Sequence, residues 1–165
     1  MITSKWIMGA QGIEDAYAIR RDVFINEQGV SEQEEFDDLD DRAFHLIIYD
    51  DGVPAATGRL FFMENYHIGR IAVIRSKRGL HLGDLTVRML LVKAFNDGAP
   101  EVTISAQTHA VPFYERFGFV SYGEVYDEAG IPHLAMKVTR DGLILEGDCK
   151  KFKKDCPTRK EAYQG

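Results

Sequence analysis

The spacing of apolar residues changes several times along the chain, and each change marks an element. Residues 3–8 read as a short first strand. Residues 13–25 follow a helical period: Ile13, Tyr17, Arg20 and Phe24 fall three or four apart, with Ala16 and Val23 beside them. Residues 31–41 follow Gly29, are strongly acidic and fit either a short helix or a loop. Residues 43–49 form a β-rich apolar run that ends at Asp50-Asp51-Gly52, a hairpin-type turn. Residues 53–63 and 66–74 continue as two further strands, so the three runs fit an antiparallel meander.

The helical period then returns. In residues 83–96 the apolar stripe is Leu85, Met89, Val92 and Phe95, widened by Leu82 and Leu90, and Gly98 and Pro100 stop the helix. Residues 102–106 are a short buried-type strand. Residues 111–116 form a short helix with Pro112 near its start and Gly118 at its end. Residues 119–122 and 133–138 make a final strand pair, joined by a loop that contains Asp127, Glu128, Ala129 and Gly130. Helix, three strands, helix, strand, short helix and two strands describe a mixed α/β domain around one sheet, expected over residues 1–140.

Composition narrows the function. A chain of 165 residues is long enough for one domain with a real core. The formal net charge is −6, and the first 140 residues hold no long basic run, which argues against nucleic acid as a partner. Residues 1–12 lack the apolar run of a secretory signal, and no stretch approaches the roughly 20 apolar residues of a membrane span. Cys149 and Cys156 lack the spacing of a zinc site, so no metal is expected, and a reducing, cytoplasmic setting is. Residues 141–165 crowd Lys150, Lys151, Lys153 and Lys154 together and read as a solvated appendage.

The most specific chemistry lies at Arg78-Gly79-Leu80-His81-Leu82-Gly83, between a strand and a helix. A helix N-terminus presents free N–H groups and partial positive charge, and two glycines let backbone approach a ligand closely. With Arg75 and Lys77 added, the turn can cradle a pyrophosphate. A plain basic turn that caps a helix is the alternative. A P-loop is excluded because Asp84-Leu85 follows Gly83, and a dinucleotide fold because the turn follows the third strand of a meander.

With these residues the chain resembles the GNAT superfamily of acyl-CoA N-acyltransferases. That family carries Arg/Gln-x-x-Gly-x-Gly/Ala after its fourth strand, and the sequence here is Arg78-x-x-His81-x-Gly83. His81 stands where a glycine is usual, so the resemblance requires His81 either to keep ordinary helical angles with its ring turned away, or to bring the imidazole onto a phosphate. Residues 112–119, Pro-Phe-Tyr-Glu-Arg-Phe-Gly-Phe, resemble the family's helix after the fifth strand. A third segment, Arg20-x-x-Val23-Phe24-Ile25-x-Glu27-Gln28 followed by Glu34, Asp37, Asp40 and His45, resembles the ElaA/YjcF-like branch. It also resembles acyl-homoserine-lactone synthases, which share an arginine like Arg59 and usually lack the glycine turn. The resemblance implies a mostly antiparallel twisted sheet of about six to seven strands, splayed at the fourth and fifth, with about four helices.

It also implies acetyl-CoA (or coenzyme A) as ligand and a small-molecule primary amine as acceptor, acetylated by direct attack, with a homodimer a further possibility. Backbone of Ile71, Ala72 and Val73 would hold the pantetheine. Arg78, Gly79, Leu80, His81, Leu82 and Gly83 would hold the phosphates, with Phe113, Tyr114 and Arg116 beside them. An amine attacking a thioester needs a proton acceptor and a donor for the leaving thiolate. Tyr114 fits the donor, since a phenol with a pKa near ~10 can serve a thiolate whose parent thiol lies near ~8.5. Its plain alternative is packing. Glu27 and Glu34 are the candidate bases, ahead of the solvated-looking Glu32, Glu35, Asp38 and Asp41, and the segment's negative field would draw a cationic acceptor. Arg20, Phe24, Asp37, His45, Arg59 and His109 are the expected acceptor-side residues, although Arg20 and Arg59 also fit ion pairs with the acidic segment. His133 carries no motif. A lactone synthase and a non-catalytic acyl-CoA-binding or sensing domain remain the alternatives.

Overall fold

The computed structural model describes residues 1–145. Strand β1 (Ile2–Met8) is followed by α1 (Glu14–Arg20), which runs directly into a π-helical turn (Arg21–Glu27). Next come α2 (Glu32–Glu35), a 3₁₀ turn (Asp38–Arg42) and the meander β2 (Ala43–Asp50), β3 (Val53–Met63) and β4 (Asn65–Val73). Helix α3 (Leu82–Asn96), β5 (Glu101–Gln107), α4 (Val111–Glu115), β6 (Val120–Glu128) and β7 (Ile131–Thr139) complete the order.

All strands join one seven-stranded sheet in the order β1-β2-β3-β4-β5-β7-β6. Every pairing is antiparallel except β4 with β5. That parallel seam is short. It couples Tyr66, His67 and Ile68 to Val102, Thr103 and Ile104, and beyond it the two strands part. The splayed, mostly antiparallel sheet expected from the family resemblance is therefore present.

The alternation of β2 explains the layering. Leu46 and Ile48 enter the core beneath α3 and α4, whereas Ile47 joins Ile13, Ala16, Ile19 and Val23 of the α1 layer on the opposite face. Beneath α3, the β3 backbone passes so close that a Cβ on Gly58 would meet Leu90 Cδ1 at 2.6 Å and Thr86 Cγ2 at 2.8 Å. Opposite Gly58 the β3–β4 register slips, and Arg70 takes a positive φ of 48°. This bulge turns the Arg70 side chain toward the acidic segment, where it pairs with Glu35 and Asp37.

Two expectations need correcting here. The buried face of α3 is Leu82, Thr86, Val87, Leu90, Leu91, Ala94 and Phe95, and Val92 is exposed. Apolar residues wrap so far around this helix that their spacing does not single out one face, and Thr86 can face inward because its hydroxyl donates to the Leu82 carbonyl at 2.7 Å. The final hairpin has no long loop. β6 runs on to Glu128 and turns at Ala129-Gly130, both with positive φ as a two-residue hairpin turn requires. Of the expected appendage, Leu143 packs on the core and Ile144 N–H donates to the Phe117 carbonyl at 2.9 Å. Cys149, Cys156 and the lysine cluster lie outside the described residues.

Candidate active site

Where β4 and β5 part, a cavity of about 530 Å³ opens between the two halves of the sheet. A second, of about 260 Å³, lies at the turn before α3 and is lined by Val73, Lys77, Arg78, Gly79, His81, Leu82 and Gly83.

The turn leaves a helix start open. No side chain caps α3, and the first bond of its ladder is Leu85 N–H to the His81 carbonyl, so the amides of Leu82, Gly83 and Asp84 precede the ladder. Gly79 has φ +83°, a conformation that favours glycine. His81 does not keep helical angles, contrary to expectation: it sits at φ 59°, ψ 20°, in the left-handed region. That is the physical reason a glycine is usual there, and histidine is among the few other residues that tolerate it. Asp84 is turned aside, accepting from Arg88 Nε at 2.5 Å and lying 3.4 Å from Arg116. Its charge therefore does not oppose a bound phosphate. Arg116 also lies over the Phe113 ring at 5.8 Å, and Leu80 is exposed.

The cations of the turn are less free than their sequence suggests. Lys77 Nζ donates to Asp50 at 2.8 Å. Arg78 folds back, with Nε on the Val73 carbonyl at 3.1 Å and Nη2 on both Glu27 oxygens at 3.0 Å. This pairing corrects two expectations together. Glu27 lines neither cavity and is committed to Arg78, so the turn offers its ligand backbone amides before side-chain charge.

One wall of the main cavity is an ion-pair lattice. Arg20 donates to Glu35 Oε1 at 2.7 Å and to Asp40 Oδ1 at 2.8 Å. Arg59 donates to Asp37 at 2.6 Å and to Asp40 at 3.0 Å, and Arg70 lies 3.2 Å from both Glu35 and Asp37. Three guanidinium groups thus face three carboxylates, and their formal charges cancel. Burial opposes ionisation of Asp40, but Arg20 and Arg59 outweigh it and hold the carboxyl below its ordinary range. Burial prevails at Glu35, whose carboxyl is raised despite Arg70 and Arg20. Among the described residues, Asp40 Oδ2 and Arg59 Nε are the buried side-chain atoms without a hydrogen-bond partner.

Arg20 and His45 are each only 1% exposed and line neither cavity. The expectation that they touch an acceptor is corrected: they lie behind the wall. His45 Nε2 donates to the Asp40 carbonyl at 2.9 Å, and burial lowers its affinity for a proton. Asp37 and Arg59 do reach the cavity, but each is engaged by the other. Of the segment's acids, Glu35, Asp37 and Asp40 are thus neutralised by these arginines. Glu34 lines the cavity, and its carboxylate closes a capping box with Ser31.

The opposite wall comes from β5, α4 and the β6–β7 hairpin. Tyr114, Phe24, His109 and Ile71 line the same cavity. The Ala72 side chain packs into the α1 layer. Burial alone raises the Tyr114 phenol well above its ordinary value, so it stays protonated at working pH. Ser105, Gln107, Glu128 and His133 also face the cavity, and Gln107 donates to Gln28 across its mouth at 2.8 Å. Sequence reasoning passed over all four, together with Arg70 on the other wall. Strand alternation puts Ser105 and Gln107 on one face of β5, but nothing local shows that Glu128 and His133 join them.

Comparison with known proteins follows this geometry. A family profile described as an acetyltransferase (GNAT) domain matches residues 10–140. The N-acetyltransferase YjcF of Bacillus subtilis, itself named as uncharacterised, is 36% identical over 126 residues, covering 75% of this chain and 90% of its own. Among solved structures, an acyl-CoA N-acyltransferase from Pseudomonas aeruginosa superposes with a TM-score of 0.75 at 30% identity, over 83% of this chain and 99% of that one. Escherichia coli ElaA superposes with a TM-score of 0.74 at 26% identity, over the same shares.

Proposed function

The chain belongs to the GNAT acetyltransferase family and is an acyl-CoA-dependent N-acyltransferase, and from that premise we propose that it acetylates a small-molecule primary amine in the cavity between β4 and β5. One observation carries the reading: the cavity has Ile71 of β4 on one side and the protonated Tyr114 on the other, and the turn that follows β4 leads into an uncapped helix N-terminus.

In this proposal the amides of Leu82, Gly83 and Asp84 receive the pyrophosphate, with the Gly79 and His81 backbone shaping the turn. The backbone of residues 71–73 holds the pantetheine on the strand edge that the splay leaves without a partner. Acetyl-CoA supplies the thioester carbonyl. Tyr114 donates to the leaving sulfur, and Phe113 and Arg116 support the turn from α4. Phe24, Asp37, Arg59 and His109 line the acceptor side, with Arg59 and Asp37 acting as a neutral pair. Glu34, whose carboxylate has no arginine partner among the described residues, favours an acceptor that is itself a cation.

The same proposal takes residues 1–140 as the acyltransferase domain and the cytoplasm as its setting. It extends to a homodimer through β6, an edge strand that is exposed along its whole length and leaves Val120, Tyr122 and Val125 exposed. Light scattering of the purified chain tests that part.

Coenzyme A release from acetyl-CoA across a library of primary amines tests the reaction. Turnover with small cationic amines is the expected result. Lactone production from an acyl donor and S-adenosylmethionine would favour a signal synthase. Tight coenzyme A binding with no release for any amine would favour a sensor. Absence of any acyl-CoA-induced thermal shift would overturn the whole reading.

A further inference from the structure

The cavity holds a proton-accepting pair that neither sequence motif announces. His133 begins β7 and is buried, and its Nδ1 lies 2.7 Å from the Ile131 carbonyl. A carbonyl can only accept, so Nδ1 carries the hydrogen. The neutral ring therefore presents a bare Nε2, which lies 3.4 Å from Glu128 Oε2. A lone pair then faces a carboxylate oxygen, and that arrangement is satisfied only when a proton lies between them. Ser105 donates to the same carboxylate oxygen at 3.2 Å and is in close contact with the Tyr126 hydroxyl, while the Tyr126 ring stacks on His133. Glu128 has no arginine or lysine partner among the described residues, unlike Glu35, Asp37 and Asp40 across the cavity. Ser105, Glu128 and His133 line the cavity that Tyr114 also lines.

We propose that Glu128 and His133 together take the proton from the acceptor's ammonium group, with Ser105, itself held by Tyr126, fixing the carboxylate. This inference rests on the transferase reading above. The ammonium N–H bond breaks, its electrons remain on nitrogen, and the proton settles between Nε2 and Oε2. The nitrogen lone pair then forms the C–N bond at the thioester carbonyl as the C–S bond breaks with its electrons on sulfur. Tyr114 gives its proton to sulfur and regains one from the nitrogen as the amide forms. One proton in total leaves for solvent, through Glu128, whose side chain is 52% exposed. The other ionisable groups facing this cavity are His67 and His109, Tyr114, and the arginine-linked carboxylates with Glu34.

The test uses the full chain with acetyl-CoA and four probe amines: spermidine, tyramine, glucosamine and Nα-acetyl-lysine. Glu128→Gln is expected to lower kcat for the amine that is turned over by about 100-fold at neutral pH, the ordinary worth of a general base. The KM for acetyl-CoA should stay within about twofold, and raising the pH should restore rate as the amine loses its proton to solvent. His133→Gln should do the same; if it fails to fold, Glu128→Gln alone decides. An independent readout is ¹⁵N NMR of histidine-labelled protein, in which neutral His133 should be protonated at Nδ1, with Nε2 shifting on Glu128→Gln. A Glu128→Gln enzyme that keeps a third or more of wild-type kcat overturns the proposal, as does a neutral His133 protonated at Nε2. A wild-type chain that acetylates none of the four while still binding acetyl-CoA fails at the earlier step, the transferase reading itself, and this proposal falls with it.

Discussion

The two walls of the central cavity are both rich in charge and are built on opposite plans. The wall from α2, the 3₁₀ turn and the arginines of α1, β3 and β4 cancels itself: three guanidiniums and three carboxylates bind one another, most of them buried. The wall from β5, α4 and the β6–β7 hairpin has fewer ionisable groups and leaves them uncommitted: a phenol kept protonated, a carboxylate without a cation, an imidazole with a bare nitrogen. Charge density along the chain therefore points to the rigid wall, whereas proton-transfer capacity sits on the other. A lattice of satisfied ions fixes shape, and a few unsatisfied ones can exchange protons with a substrate.

The contrast breaks most visibly if the lattice loses a cation. Arg20→Met should destabilise the fold by about 3–5 kcal/mol, because Glu35 and Asp40 are then buried without their principal partner. Urea denaturation measures it, and a loss below about 1 kcal/mol would mean that the lattice is not the structural element described here. On the open wall the penalty should be kinetic instead. Tyr114→Phe should leave coenzyme A affinity and stability nearly intact while lowering kcat roughly 10- to 100-fold, the worth of about 1.5–3 kcal/mol for a hydrogen bond to a charged group. Unchanged turnover would remove Tyr114 from the reaction.

The lattice should also reveal itself through pH. Burial holds the His45 imidazole below its ordinary value of 6.5. The stability this provides is complete above about 6.5 and is lost as pH falls from there through the folded-state value, since the unfolded ring binds a proton that the folded ring resists. His45→Gln, which keeps a donor for the Asp40 carbonyl, should flatten Tm against pH in that window. Asp40 adds a separate loss at lower pH, below its ordinary 3.8, because its folded value is depressed. The smallest effect belongs to neither wall. His81→Gly relieves a left-handed backbone and should stabilise by about 1 kcal/mol, a Tm rise of about 2–4 °C. A fall in Tm would show that the imidazole makes a compensating contact.

Much of the fold was legible because period and punctuation agreed. The Asp51-Gly52 turn, the meander and Gly98 after α3 all speak locally. The turn proposed to hold the phosphates was legible for the same reason: backbone exposed at a helix start is written in glycines and in the start of the helix. What stayed hidden depends on register. Glu27 and Arg78 lie far apart in the chain and meet only because the π-helical turn ends beside the α3 loop. Glu128 looked like a loop residue because Gly123 and Glu124 interrupt the alternation of β6 at a bulge, and only the paired hairpin carries it to His133. Arg70 was invisible as a site residue because its direction comes from a bulge, not from strand parity.

The brief seam between β4 and β5 has a mechanical meaning as well. Within the sheet, the four strands on one side meet the three on the other along Tyr66, His67 and Ile68 alone. That seam is the closed end of a wedge: beyond it the two halves stand apart around the cavity, each held by its own strand pairings, and α3 and the shared core bridge them beneath. Thr103, whose hydroxyl reaches back to the Tyr66 carbonyl at 3.4 Å, sits in that seam. The gap that Ile71 and Tyr114 border therefore opens from a seam to which neither residue belongs.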